Sequence, residues 1–146
     1  MRRLIIPLMF LVVFLSACGN SWEAPVMHHG EHAIREVAQL TGGEAVFLDV
    51  EWLCMLYEEE GKRDEMCVFF IAYERDNTTG YKLVLTSEPD GVEGIMPQHA
   101  VVPDQTTLDA MQAEMIEDVR DTDTSVRYDT GSLSQDTIDA WLEELE

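Results

Sequence analysis

The stretch that decides the fold runs from Glu44 to Arg75. It reads Glu44-Ala-Val-Phe-Leu-Asp-Val-Glu-Trp-Leu-Cys-Met-Leu-Tyr57, then the polar run Glu58 to Glu65, then Met66-Cys-Val-Phe-Phe-Ile-Ala-Tyr-Glu-Arg75. Val46, Leu48, Val50, Trp52, Cys54 and Leu56 alternate with Phe47, Asp49, Glu51, Leu53, Met55 and Tyr57. Alternation with a period of two is the mark of a strand, and one apolar face beside a mixed one is that of an antiparallel sheet covered on one side. Setting Cys54 opposite Cys67 places Glu58 opposite Arg63, Glu59 opposite Lys62 and Trp52 opposite Phe69, with the turn at Glu60-Gly61. Each facing pair of opposite charge favours that register by roughly 0.2 to 1 kcal/mol.

Beyond Arg75, a second turn is expected over Asp76 to Gly80 and a third strand over Tyr81 to Ser87. The segment Glu88 to Asp104 carries Pro89, Gly91, Gly94, Pro97 and Pro103 and reads as a loop, with Ile95, Met96, Val101 and Val102 available as a buried clip or a short strand. Thr106 with Asp109 marks a helix start, and Leu108, Met111, Met115 and Val119 recur at helical spacing. Ser125 to Tyr128 is a candidate short strand. Ser134 caps a last helix with Ile138, Trp141, Leu142 and Leu145 on one face. Upstream of the hairpin, Ala33, Ile34, Val37, Ala38 and Leu40 suit a helix over Glu31 to Leu40, stopped by Thr41-Gly42-Gly43. The expected fold is α+β: a three- to four-stranded antiparallel meander with two to three helices packed on one face.

The N-terminus speaks to location. Arg2-Arg3 precede an apolar run too short to span a bilayer comfortably, which is the form of an export signal. It ends in Leu15-Ser16-Ala17-Cys18-Gly19, which resembles the lipobox of bacterial lipoproteins. The resemblance implies cleavage before Cys18, acylation of that cysteine, and, with Gly19 rather than Asp following, an outer-membrane anchor on the periplasmic face. It covers the first eighteen residues only. Several acyl chains together make a stable anchor, since each buried methylene contributes about 0.8 kcal/mol. The expected organisation is a signal peptide over 1–17, a lipidated N-terminus and tether over 18–30, and one α+β domain over 31–146.

With Arg2 and Arg3 removed, 29 acidic residues face the 7 that remain of 9 lysines and arginines, a net charge of about −22. Such a chain repels nucleic acid, so nucleic-acid binding is excluded as a function. The charge is dispersed and reads as a solvated surface, with a docking face for a cationic partner as the sharper alternative.

Three groups of residues carry chemistry. Export into an oxidising compartment turns Cys54 and Cys67 into a disulfide rather than a redox pair, because no Cys-x-x-Cys is present. His28-His29-Gly30-Glu31-His32 offers His28 and His32 at i and i+4, a spacing that suits two imidazoles on one zinc, but Gly30 lies between them and the segment reads as exposed histidines near a helix start, with weak, adventitious zinc or copper binding as the alternative; no metal site or cofactor is assigned. Asp129-Thr130-Gly131-Ser132 matches the tetrapeptide of an aspartic protease, and Asp121-x-Asp123-x-Ser125 begins like a calcium loop. The first lacks the chain length that a paired active site needs, and the second has Val126 and Ser132 where Gly and Glu belong. The expected function is non-enzymatic: a lipid-anchored lipoprotein that binds an envelope protein or aids envelope assembly. Its working surface would be the sheet face around Phe47, Leu53, Met55, Tyr57, Val68 and Phe70, or the loop from Glu88 to Asp104. The rival readings are a carboxylate hydrolase, marked by acids gathered beside His99, and a metal-binding lipoprotein using His28 to His32.

Overall fold

Glu60 and Gly61 both have positive φ, 51° and 77°, the requirement of the two-residue turn whose twist matches paired strands. That turn joins β1 (Val46–Glu59) to β2 (Lys62–Arg75) in the expected register: Trp52 faces Phe69, Cys54 faces Cys67, Glu58 faces Arg63 and Glu59 faces Lys62. The computed structural model describes residues 22–88, 94–122 and 126–145. A second tight turn at Asp76-Asn77, φ 52° and 60°, leads into β3 (Thr78–Glu88). The strand thus begins inside the segment expected to be turn, because Gly80 faces Tyr73 and lets the phenol ring lie across it; a Cβ there would sit 2.5 Å from the ring.

Two more strands complete the sheet. β4 (Met96–Val102) pairs with β3, and β5 (Val126–Ser132) pairs with β1. The order is β4-β3-β2-β1-β5, antiparallel throughout. The fold is α+β as expected, with five strands rather than three or four.

The helices divide between the two faces, which corrects the expectation that they pack on one. α1 (Glu23–Leu40) and α3 (Gln135–Glu143) cover Phe47, Val50, Trp52, Cys54, Cys67, Phe69, Ile71 and Val84. α2 (Gln105–Asp121) covers Leu53, Val68, Phe70 and Leu83 on the opposite side. The cause lies in β2, where every residue from Cys67 to Ala72 is buried. A central strand apolar on both sides demands cover on both.

The phase of β1 also changes partway along. Phe47 pairs with Tyr73 and Asp49 with Ala72, leaving Leu48 as an extra residue in a bulge. Phe47 therefore turns inward beside Val50, at 3% exposure, while Val46 and Leu48 face solvent. Simple alternation puts Val46 and Leu48 on the core face and Phe47 on the other.

α1 starts at Glu23, eight residues before the expected Glu31, so that residues expected in a tether enter the core through Val26, His29 and Gly30. Gly30 reads as a breaker in the sequence. In the fold it is a contact point: a Cβ there would meet the Trp141 ring of α3 at 3.0 Å. The C-terminus of α1 closes as Thr41-Gly42-Gly43 implies, with Gly43 N–H donating to Ala38 O and Gly42 N–H to Gln39 O, the paired bonds of a Schellman motif. α2 is capped by Asp104, whose Oδ1 accepts from Thr107 N–H at 2.7 Å, two residues before the expected start at Thr106. Ser134 caps α3 as expected, accepting from Thr137 N–H.

Candidate functional site

The strand register sets up two adjacent rows of side chains on the face beneath α1. In the first, Asp129, Cys54, Cys67 and Thr86 stand side by side across β5, β1, β2 and β3. The Cys54 and Cys67 sulfurs are 2.10 Å apart, bonding distance, and the Cα atoms 4.1 Å apart, as in the close pairs of an antiparallel ladder. In the second row stand Arg127, Leu56, Glu65 and Glu88.

The N-terminal half of α1 lowers His29 onto these rows. Val26, His29, Gly30, Ala33, Ile34 and Val37 form its buried stripe, and the His29 side chain has no exposure at all. Its Nδ1 is 2.8 Å from Thr86 Oγ1, which in turn donates to the Cys67 carbonyl at 3.3 Å. Its Nε2 is 3.4 Å from Glu65 Oε2. Glu65 Oε1 meets Arg63 Nη2 at 3.3 Å, and Glu88 Oε2 meets His28 Nε2 at 3.6 Å. One donor atom each from His29, Glu65 and Glu88 lies within 4.8 Å of the other two. Burial pushes the His29 pKa below the usual histidine value; the Glu65 hydrogen bond and charge oppose that, His28 adds to it, and Glu88 opposes it weakly. A cleft of about 220 Å³ lined by Trp22, Pro25, Leu56, Arg63, Glu65 and Cys67 adjoins the cluster.

The histidine buried against the carboxylates, His29, is neither of the two singled out by spacing, although exposed His28 lies beside Glu88. His28 and His32 do share a helix face, with ring centroids 5.6 Å apart, but both are exposed. His29 becomes legible as a core residue once the helical phase of Ala33, Ile34 and Val37 is carried back through Gly30 to Val26.

The other candidates are dispersed. His99 lies in β4, not in a loop, and its Nδ1 faces Glu36 of α1 at 3.4 Å. Asp129-Thr130-Gly131-Ser132 forms the end of β5, with Asp129 exposed and accepting from its neighbour's N–H; Gly131 faces Trp52, where a Cβ would lie 2.5 Å from the indole. That cross-strand packing accounts for the glycine without protease chemistry. Asp123 and Ser125 of the calcium-like segment, and Cys18, the expected lipidation site, lie outside the described residues. The sheet face expected as a working surface is not open: Leu53, Val68 and Phe70 are buried under α2, Met55 packs on the same cluster, and Phe47 is buried on the other side. Of the loop expected over Glu88 to Asp104, Met96–Val102 is β4.

Comparison with protein-family models, with curated proteins and with solved structures finds no significant match to this chain. What the protein does is therefore argued from its own residues.

Proposed function

We propose that the mature chain is a non-enzymatic envelope lipoprotein, held by acylated Cys18 on the periplasmic face of the outer membrane, that docks a partner protein along the outer edge of β4. The observation that carries the docking surface is the edge itself. β4 ends the sheet, pairs with β3 alone among the described strands, and exposes Val101 at 74% and Met96 at 54%. An unpaired strand edge offers a row of backbone donors and acceptors to an extended segment of a partner, with side chains such as Val101 supplying specificity. Both broad faces of the sheet are already occupied by helices, which leaves its two edges, β4 and β5, and of these β4 carries the exposed large apolar side chains.

The anchor rests on the lipobox, and the disulfide agrees with an oxidising compartment. Chain length adds a constraint. From Cys18 to Glu23, where α1 begins, an extended chain reaches only about 18 Å, so the domain would ride close to the bilayer and meet partners at the membrane surface.

A photo-crosslinking residue placed at Val101, and at Glu117 on the outer side of α2 as a control, tests the docking surface in intact cells. One envelope protein captured from position 101 and absent from position 117 is the expected result; equal capture, or none, removes the edge from consideration. Cys18→Ser should release the protein from membranes, and a membrane-bound variant would refute the anchor.

A further inference from the structure

His29 is held at both ring nitrogens, and two proton arrangements satisfy the contacts. In one, Thr86 Oγ1 donates to Nδ1 at 2.8 Å and Nε2–H points at Glu65 Oε2 at 3.4 Å. In the other, Nδ1–H donates to Thr86 Oγ1, the hydroxyl donates to the Cys67 carbonyl at 3.3 Å, and the Nε2 lone pair faces Glu65. The 3.4 Å separation is long for a hydrogen bond and leaves room for an ion between nitrogen and oxygen.

A cation in that gap would have three ligands already gathered: a second carboxylate, Glu88, places its donor atom in a triangle with those of His29 and Glu65, all within 4.8 Å of one another. The geometry points to a divalent transition-metal site of the zinc class formed by His29 Nε2, Glu65 and Glu88, with the half-exposed His28 beside Glu88 as a fourth ligand.

The surroundings have the features such a site needs. One neutral imidazole with two carboxylates balances a charge of +2. The two cysteines are bonded to each other, so the donors are nitrogen and oxygen, a set that suits Zn²⁺ and its neighbours rather than thiophilic Cu⁺. With an ion on Nε2, Nδ1–H would donate to Thr86 and Thr86 to a strand carbonyl, a second layer of bonds that orients the ligand ring. Glu65 and Glu88 keep 21% and 34% of their side-chain surface exposed, which leaves an entry path. The acids come from β2 and β3 and the imidazoles from α1, so a bound ion would tie the N-terminal half of the helix to the sheet.

The test uses the full mature protein in detergent, stripped with a chelator and titrated with Zn²⁺ as the probe. One equivalent bound and retained through dialysis is expected. Glu65→Gln and Glu88→Gln should each weaken binding by about 10- to 100-fold or more, while circular dichroism in chelator matches the parent. A His28→Ala/His32→Ala double variant should retain the ion with reduced affinity. A readout independent of any variant is the ¹⁵N spectrum of the histidines: on saturation with Zn²⁺, His29 should show a proton on Nδ1 and a metal-ligand shift at Nε2. The proposal is overturned by the absence of stoichiometric binding, by glutamine variants that bind as the parent does, by loss of all binding in the His28/His32 double variant, or by a His29 Nε2 that keeps its proton at saturating Zn²⁺. None of these outcomes bears on the β4 docking surface, which is tested separately.

Discussion

Single residues in this fold are often chosen for what they lack. Gly30, Gly80 and Gly131 each leave room for an aromatic ring, those of Trp141, Tyr73 and Trp52. A glycine in a strand normally weakens it, and a cross-strand aromatic lying over the gap restores the missing burial. Gly131 is the sharpest case, because the sequence around it imitates a catalytic tetrapeptide. Adding one methyl group at 131 forces the indole of Trp52 out of place, and overpacking of this kind costs about 1 to 3 kcal/mol. Gly131→Ala should therefore lower the urea midpoint with an unchanged slope. Asp129→Asn, on an exposed side chain, should stay within about 0.5 kcal/mol of the parent, whereas a shared catalytic carboxylate would show a larger response.

At the scale of elements, legibility in the sequence follows how local the determining physics is. The β1–β2 register depends on neighbours in one hairpin, and Glu60-Gly61, the charge pairs and Trp52 opposite Phe69 all point to it. The bulge at Leu48 is a single extra residue with no compositional mark, so simple alternation is misphased before it. The N-terminal half of α1 is hidden because the role of Gly30 depends on Trp141, a residue remote in the chain. With it is hidden the placement of His29 over Glu65 and Glu88. The apolar positions of α2 are legible, but which face of the sheet they cover is a tertiary matter.

Those differences among helices have dynamic consequences. α1 buries seven residues between Val26 and Ala38, whereas α2 has Leu108 alone fully buried and its other apolar side chains partly exposed. An element that buries little apolar surface opens at little cost in free energy, so α2 should exchange its amide hydrogens well before α1. Hydrogen exchange read by mass spectrometry checks this, and equal protection of the two helices would contradict it. The cap of α2 adds a pH dependence of known sign. The Thr107 backbone N–H and side chain hold the Asp104 pKa below the usual aspartate value. A carboxylate depressed on folding contributes stability that is fully present above its unfolded pKa of about 3.9 and disappears as pH falls through the folded value. Asn caps a helix about as well and does not titrate. The melting temperature of the parent relative to Asp104→Asn should thus be constant at neutral pH and decline only below about pH 4.

For the whole molecule, two opposed influences bear on the same sheet. The full chain carries a formal charge of −20, and its self-repulsion favours expansion wherever salt does not screen it. Against this, the Cys54–Cys67 bond joins two of the three inner strands, β1 and β2, near the middle of their length. A bond closing a loop of this size, with a sequence separation of 13, contributes about 3 kcal/mol by restricting the unfolded chain. Total stabilities of about 5 to 15 kcal/mol make that a sizeable share. Repulsion acts at long range in dilute buffer, where the screening length is about 30 Å, and is cut to about 3 Å near 1 M salt. The Cys54→Ala/Cys67→Ala double variant should accordingly unfold at a lower urea concentration than the parent in both conditions. Both proteins should gain stability on adding salt, since the repulsion is spread over the surface and does not pass through the bond. The variant's folded fraction should respond more visibly, because it starts nearer its midpoint. Urea melts of the two proteins at low and high sodium chloride measure all four stabilities. A salt increment that vanished when the bond was removed would mean that the bond, rather than the dispersed charge, sets the response to salt.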